Sequence, residues 1–174
     1  MNKDFKMKVV IRFFYVIVII ITSAGCIKNR SDELCQYDAC AYKAPASEIE
    51  AVQKYLSDQG ITATQHCSGL FYKIENPGTG ATPGICSQIG VRYKGMLTNG
   101  NVFDEQTNPF YFQLGTLIEG WKAGLTQIKQ GGKMKLYVPP SRGYGSRSFT
   151  DQNGNVLIPA NSILVFDIEL VSVE

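Results

Sequence analysis

The chain has 174 residues, of which 44% are hydrophobic and 18% are charged, and its formal net charge is +2. This length suits one compact domain with an appendage. Four of the basic residues and one of the acidic residues fall within the first dozen positions, which leaves 13 basic and 14 acidic residues, or −1, in the remainder. The charge distribution therefore does not favour a nucleic-acid partner. A single histidine, His66, argues against a multi-histidine metal site or a histidine-based triad, and we expect neither metal nor cofactor.

Residues 1–25 have the pattern of an export signal. A basic start is followed by an uninterrupted apolar run over residues 13–21 and then by small residues that end at Cys26. This run is too short for a hydrocarbon core, which needs about 20 apolar residues. A cleaved signal peptide is therefore favoured over a transmembrane helix, which remains the alternative.

The small residues before Cys26 suggest lipidation. Ser23-Ala24-Gly25-Cys26 resembles the bacterial lipobox, whose cysteine takes a diacylglyceryl thioether and becomes the new N-terminus. Ser23 departs from that pattern, because leucine usually stands there. We expect a lipid anchor at Cys26, stable because each buried methylene contributes about 0.8 kcal/mol. An ordinary secretory signal with an incidental cysteine is the alternative.

Four cysteines remain after Cys26. Cys35, Cys40, Cys67 and Cys86 are an even number in an exported chain, which suits two disulfides with three possible connectivities. Cys67 and Cys86 bracket the first strand of the domain and the loop after it, so we expect them to pair and to leave Cys35 for Cys40. Thiol-disulfide exchange chemistry is disfavoured because the spacing Cys35-x4-Cys40 is not C-x-x-C.

The segment before the domain divides into two parts. Residues 26–46 are polar and aperiodic, as in a lipidated tether. Residues 47–67 contain an amphipathic helix and a linker, the helix running from a capping-box pattern at Ser47 and Glu50 to Gln59. Its apolar side chains are expected to pack on the domain or on a second copy of the chain, as in a homodimer.

Beyond the helix, apolar residues alternate with a period of two, which predicts strands. The alternating sets are Leu70, Tyr72 and Ile74; Val91, Tyr93, Gly95 and Leu97; Phe110, Phe112 and Leu114; Met134, Leu136 and Val138; and Leu164, Phe166, Ile168 and Leu170. Asn99-Gly100 predicts a hairpin turn. Trp121, Leu125 and Ile128 fall at helical spacing. Antiparallel strands with one central helix imply an α+β domain.

Seven segments, in this order, resemble the FKBP family of peptidyl-prolyl cis-trans isomerases. They are Val91-Arg-Tyr-Lys-Gly-Met-Leu97, Gly100-Asn-Val-Phe-Asp104, Pro109-Phe-Tyr-Phe112, Ile118-Glu-Gly-Trp-Lys-Ala-Gly-Leu125, Gly143-Tyr-Gly145, Ile158-Pro159 and Leu164-Val-Phe-Asp167. The resemblance assigns residues 68–174 to the isomerase domain, and the preceding helix and export signal resemble lipoprotein members from Gram-negative bacteria. It implies a curved antiparallel sheet wrapped around one central helix, with an apolar pocket between them.

The resemblance also implies roles for individual residues. Trp121 would form the pocket floor, and the walls would be Tyr93, Phe103, Phe110 and Phe166. Leu117 and Ile118 would stand at the start of the helix, where the backbone N–H of Ile118 holds a substrate carbonyl. Asp104 and Tyr144 would be the polar rim groups, and Ile158 would close the far side. Taken singly, an aromatic residue on a strand is more often plain core, so their joint placement carries the interpretation.

The sequence departs from the family pattern in three places. The loop between Asp104 and Phe110 is shorter than in small eukaryotic members and lacks the arginine that often partners the aspartate. The connection from Leu114 to Trp121 is also shorter. The loop after Tyr144, through Asp151-Gln-Asn-Gly-Asn155, is longer, which affects one rim of the expected site.

The expected activity is isomerisation of X-Pro bonds in exported or outer-membrane proteins by a membrane-anchored, extracytoplasmic lipoprotein. Proline-containing exported polypeptides would be the substrates, and macrolides are possible inhibitors. Such a pocket needs no ionising catalyst, because the barrier of about 18–20 kcal/mol arises from amide resonance. A non-catalytic proline-binding module or holdase is the alternative, and a structural lipoprotein or adhesin is the third hypothesis.

Overall fold

The structure, a computed structural model, describes residues 35–174. The expected signal peptide, the lipidation site at Cys26 and the tether up to residue 34 lie outside the described residues. Over the described residues the fold is α+β, as expected, with six antiparallel strands in one sheet and two in another. The strands are β1 (Thr64–Gln65), β2 (Phe71–Asn76), β3 (Gln88–Leu97), β4 (Val102–Gln113), β5 (Lys133–Val138), β6 (Phe149–Thr150), β7 (Val156–Ile158) and β8 (Leu164–Val173). The helices are α1 (Ala46–Asp58) and α2 (Glu119–Leu125), and 3-10 turns cover Leu114–Thr116 and Pro140–Arg142. Within residues 35–174, neither helix has the length and apolar character needed to cross a bilayer.

The large sheet has the strand order β1-β2-β5-β8-β3-β4. β3 and β4 form a long hairpin, and its turn lies at the Asn99-Gly100 pair, as the sequence predicts. Gly100 has a φ of +87°, which glycine adopts without the steric cost of a Cβ atom. The last strand, β8, lies between β3 and β5 and pairs with both along most of its length. The chain therefore closes its fold by inserting the C-terminal strand into the middle of the sheet.

One face of the large sheet packs against α2 and forms the main core. The positions expected from strand alternation and from helical spacing supply most of that core, including Val91, Leu114, Trp121, Leu125, Ile128, Met134, Leu136, Val138, Leu164, Phe166, Ile168 and Leu170. Two glycines on α2 allow a close approach to β5. A Cβ atom on Gly120 would lie 2.6 Å from Val138, and one on Gly124 would lie 2.5 Å from Leu136. The sheet thus holds α2 at a distance that only glycine permits.

The opposite face of the sheet is covered by α1. Ile49, Val52 and Leu56 are buried there in a second cluster, whose sheet residues include Phe71, Tyr137 and Val165. The helix runs from Ala46 to Asp58 and so begins one residue before the expected start. Since its apolar stripe is buried in the same chain, a homodimer through this helix would have to use another side.

The capping box expected at the start of α1 does not form. Pro45 is the N-cap residue and no side chain caps the helix, because the earlier start places Ser47 inside the first turn. The carboxylate of Glu48 instead accepts a hydrogen bond of 2.8 Å from the backbone N–H of Ser141. This contact ties α1 to the turn that follows β5.

The disulfide pairing differs from the expected one. The bonds are Cys35–Cys86 and Cys40–Cys67, with Cα–Cα distances of 5.4 Å and 5.3 Å. The expected pairs, Cys67–Cys86 and Cys35–Cys40, are wrong because residues 35–44 do not run free of the domain. They lie against it and bring Cys35 to the loop before β3 and Cys40 to the turn before β2.

Candidate active site

A cleft of about 260 Å³ opens between α2 and the concave side of the sheet. β3 and β4 supply one wall, β8 supplies another, and the first turn of α2 supplies the floor. The residues that line it are Tyr93, Phe103, Asp104, Phe112, Thr116, Leu117, Ile118, Trp121, Tyr144 and Phe166. A volume below the roughly 300–1,000 Å³ of drug-sized pockets suits one small ring and its neighbouring backbone.

The interior of the cleft is a box of aromatic rings set edge to face. Trp121 contacts Tyr93 at a ring-centroid distance of 5.1 Å, Phe166 at 5.4 Å and Phe112 at 6.2 Å, each nearly perpendicular. Phe103 meets Phe166 at 5.7 Å in the same manner. Edge-to-face pairs at these distances are favourable beyond their buried area, by about 0.5–1.5 kcal/mol each. The box is therefore held rigidly by its own contacts.

Three polar side chains, those of Tyr93, Asp104 and Tyr144, stand at the rim of this box. The Tyr93 hydroxyl donates a hydrogen bond of 2.5 Å to the Asp104 carboxylate. Burial, and then the hydrogen bond to Asp104 and its negative charge, raise the pKa of Tyr93 well above 10.0. Burial, and then the charge of Asp104, also raise the pKa of Tyr144 from 10.0. Both hydroxyls therefore stay protonated at neutral pH and can act as donors.

The start of α2 offers a backbone donor to the same cleft. Ile118 is the N-cap residue, and its carbonyl accepts hydrogen bonds from the N–H groups of Trp121 and Lys122. Among residues 35–174, the N–H of Ile118 itself has no hydrogen-bond acceptor. Because Ile118 and Leu117 both line the cleft, this donor is placed where a bound carbonyl could meet it.

Eight of the ten residues expected at the pocket do line it. Phe110 and Ile158 do not. Phe110 packs on Phe112 with ring centroids 4.8 Å apart and remains 47% exposed, so it lies one ring outside the cleft. Ile158, at 6% exposure, belongs to the main core. Sequence reasoning missed Phe112 and Thr116, although Phe112 falls in the same alternating set as Phe110.

The long loop after Tyr144 forms a rim hairpin, here defined as residues 146–158, that contains β6 and β7. Its turn is closed by Asp151, whose carboxylate accepts hydrogen bonds of 2.8 Å from the backbone N–H groups of Asn153 and Asn155. Phe149 packs on Tyr144 at 4.6 Å and is partly exposed. The exposed side chains Val156 and Leu157 make the hairpin an apolar extension of the rim.

Among residues 35–174, one group of side chains has the spacing of metal ligands, and it consists of Cys40, His66 and Cys67. Both cysteines are joined in a disulfide, so neither offers the thiolate that binds metal. Burial, and then the positive charge of Arg142, lower the pKa of His66. The Arg142 guanidinium would repel a metal cation at this position. Cys40, His66 and Cys67 therefore do not suit a metal ion.

The aromatic box, the backbone donor and the surrounding sheet form one cleft, and comparison with known sequences shows the family to which the chain belongs. Residues 80–171 match the family model of the FKBP-type peptidyl-prolyl cis-trans isomerases. The chain belongs to this family.

Two curated relatives illustrate the similarity and its extent. A probable FKBP-type peptidyl-prolyl cis-trans isomerase of Haemophilus influenzae is 35% identical over 169 residues, covering 86% of this chain and 67% of that protein. The FKBP-type isomerase FkpA of Escherichia coli is 34% identical over 151 residues, covering 85% of this chain and 52% of FkpA. The chain thus spans between half and two thirds of these relatives.

Solved structures share the fold. The crystal structure of FkpA from Escherichia coli aligns with a TM-score of 0.61 at 37% identity, over 74% of this chain and 58% of that one. A peptidyl-prolyl cis-trans isomerase from Pseudomonas syringae aligns with a TM-score of 0.63 at 30% identity, over 76% of this chain and 98% of that one. Nearly all of the second chain is therefore covered by the alignment.

Proposed function

We propose that this chain catalyses cis-trans isomerisation of X-Pro bonds in the cleft lined by Phe103, Trp121 and Phe166. The observation that carries the proposal is the aromatic box on the floor of the cleft, with hydroxyl and backbone donors confined to its rim. A proline ring fits an apolar floor, and the rim donors fix the flanking carbonyls.

The chemistry requires no proton transfer. Rotation about the X-Pro bond breaks amide resonance, and the twisted amide carries less charge separation than the planar one. A dry aromatic cavity therefore favours the twisted form relative to water. Each 1.36 kcal/mol of this differential binding accelerates the rotation about tenfold.

The rim groups orient the substrate in this proposal. The free N–H of Ile118 donates to a carbonyl of the bound segment, and Tyr144 donates from the opposite rim. Asp104 holds the Tyr93 hydroxyl in place by accepting its hydrogen bond. In this proposal the carboxylate also faces the carbonyl carbon of the twisted amide. None of these groups acts as a general acid or base.

We further propose an extracytoplasmic site of action, with a lipid anchor at Cys26 and exported polypeptides as substrates. The two disulfides support this location, since such bonds persist in oxidising compartments. Uncatalysed proline isomerisation takes about 10–100 s and limits folding of such clients. Palmitate labelling of the full chain in cells should fall to background in Cys26→Ala, and unchanged labelling would rule out this anchor.

A holdase or proline-binding module is the second candidate, because the rim hairpin exposes Phe149, Val156 and Leu157 beside the cleft. An isomerisation assay on a proline peptide with residues 31–174, with and without a macrolide, separates the two functions. Catalysis predicts turnover that the macrolide inhibits. Suppression of aggregation of an unfolded protein without turnover would favour the holdase instead.

A further inference from the structure

Residues 35–44, here called the N-terminal strap, are fastened to the domain at several points. Cys35 is bonded to Cys86 and Cys40 to Cys67. At its end, the N–H of Ala44 donates to the carbonyl of Ser68 over 2.9 Å. A polar segment would not need such fixing if it served only as a spacer to a membrane.

Between the disulfides, the strap reaches the first residue of α2. The Tyr37 hydroxyl donates a hydrogen bond of 2.7 Å to Glu119 Oε2. The other oxygen of Glu119 accepts a hydrogen bond of 2.7 Å from Lys122 Nζ. Glu119 follows Ile118 and lies about half a turn before Trp121. The strap therefore contacts the helix turn that carries the N–H donor of Ile118 and the Trp121 ring at the floor of the cleft.

The strap also packs around a buried charge. The side chain of Arg142 is 3% exposed, and its guanidinium lies 3.8 Å from Glu119 Oε2. It donates to the carbonyl of Ala39 over 3.4 Å, and the Tyr42 ring lies over it at 5.9 Å. A buried guanidinium is costly without such partners. Arg142 ends the 3-10 turn that leads to Tyr144, so the same strap supports the second rim of the cleft.

The hydrogen bonds keep the Glu119 carboxylate ionised. Burial alone would raise the pKa of Glu119, but the hydrogen bonds from Lys122 and Tyr37, with the charges of Lys122 and Arg142, lower it overall. The Tyr37 hydroxyl faces Glu119 and Arg142 from the strap side. The polar contacts of Tyr37, Glu119 and Arg142 thus connect the strap, α2 and the turn before Tyr144.

We propose that the strap is a positioning element of the active site, and that Tyr37 and Glu119 are positioning residues that set the orientation of Ile118 and Trp121. The proposal rests on the isomerase function proposed above. Neither Tyr37 nor Glu119 touches the cleft, so their effect on catalysis passes through α2.

The test uses Tyr37→Phe, which removes only the hydroxyl. Tyr55→Phe is the matched control, because it removes a hydroxyl from a half-buried tyrosine on α1, at the opposite face of the sheet. Trp121 is the only tryptophan of the chain, so its emission and its quenching by acrylamide report on the floor of the cleft. The proline-peptide assay gives kcat and KM separately, and thermal unfolding gives Tm.

Tyr37→Phe is expected to lower kcat about fivefold with a smaller change in KM, because misplacement of binding groups costs rate in the twisted state. It should also shift the Trp121 emission, while Tyr55→Phe changes neither. The double variant Cys35→Ser/Cys86→Ser, which frees one end of the strap, should change both readouts in the same direction.

A lower Tm with kcat and Trp121 emission equal to the control would overturn the proposal and leave the strap with a merely structural role. If the unmodified protein does not isomerise the peptide at all, the proposed function fails. The Trp121 emission of the variants then still decides whether the strap positions α2.

Discussion

Trp121 occupies the centre of the site at the scale of single residues. Three rings meet its indole edge to face, and its Nε1–H is buried without an acceptor among residues 35–174. An unsatisfied buried donor costs about 1–3 kcal/mol. The edge-to-face contacts with Tyr93, Phe112 and Phe166 therefore hold the indole in place although its Nε1–H is unpaired within the described part of the chain.

If the dry box stabilises the twisted amide, removal of a ring should cost more activity than removal of a rim contact. Phe103→Ala and Phe166→Ala are each expected to lower kcat/KM by well over tenfold. Because Phe166 belongs to the main core, Phe166→Ala should also lower the free energy of unfolding by about 3–5 kcal/mol. Tyr144→Phe and Asp104→Asn should each cost about fivefold. Tyr111→Ala, an exposed ring on β4, is the control. Full activity in Phe103→Ala would place the site elsewhere.

The pH dependence follows from the two rim tyrosines. Burial and the charge of Asp104 raise the pKa values of Tyr93 and Tyr144, so the neutral, donating form persists to higher pH than in free tyrosine. The single histidine does not line the cleft. We therefore expect kcat/KM to stay flat between about pH 6 and pH 9 and to fall only above the ordinary tyrosine range. A bell-shaped profile inside that window would indicate acid-base chemistry.

At the scale of elements, the sequence predicts the main strands and the buried face of α2 because their burial follows simple periods, although α2 ends at Leu125 and Ile128 lies beyond it. Leu164, Phe166, Ile168 and Leu170 alternate in the sequence and are all buried on one face of β8. The sequence predicts the start of α1 at about Ser47 because Ser47 and Glu50 match a capping box, whereas Pro45 takes the N-cap position and the helix begins at Ala46. The local sequence is compatible with a helix start at either Pro45 or Ser47, and tertiary packing decides between them.

The walls of the site show a different limit of prediction. Alternation places Phe110 and Phe112 in one set, but it does not say which ring reaches the cleft and which packs outside it. Phe110 lies beside the irregular pairing of β3 with β4 between Val91 and Tyr93, whereas Phe112 lies farther inside the regular pairing, opposite Ile89. An irregularity of this kind leaves no periodic signal in the sequence.

The contact of α2 with β5 gives a prediction about stability. Alanine is favoured over glycine in a helix by about 1 kcal/mol. A Cβ atom on Gly124, however, would lie 2.5 Å from the fully buried Leu136, and overpacking costs about 1–3 kcal/mol. Gly124→Ala should therefore lower the free energy of unfolding measured with urea. Gly84→Ala, whose added Cβ meets no atom within 4 Å, is the control. A neutral or stabilising Gly124→Ala would mean that the helix and sheet lie farther apart.

At the scale of the whole molecule, the disulfides change how the N-terminal part of the chain is understood. The sequence predicts a polar tether up to residue 46, yet residues 35–44 are covalently held against the domain. Cys35 and Cys86 are 51 residues apart, and Cys40 and Cys67 are 27 apart within that span. Loop closure on this scale contributes about 3–4 kcal/mol per bond, with the nested arrangement favouring the lower value. The pairing could not be predicted because it depends on the path of the strap across the domain.

Peptide mapping under non-reducing conditions tests this pairing directly. Cleavage after lysine and arginine gives one peptide, 31–43, that contains both Cys35 and Cys40, whereas Cys67 lies in 55–73 and Cys86 in 74–92. The structure predicts a single species in which all three peptides are linked. Further cleavage before Asp38 should separate it into one pair with Cys35 and Cys86 and another with Cys40 and Cys67. An internally bridged 31–43 peptide beside a 55–73/74–92 pair would instead restore the pairing first expected from the sequence and contradict the docked strap.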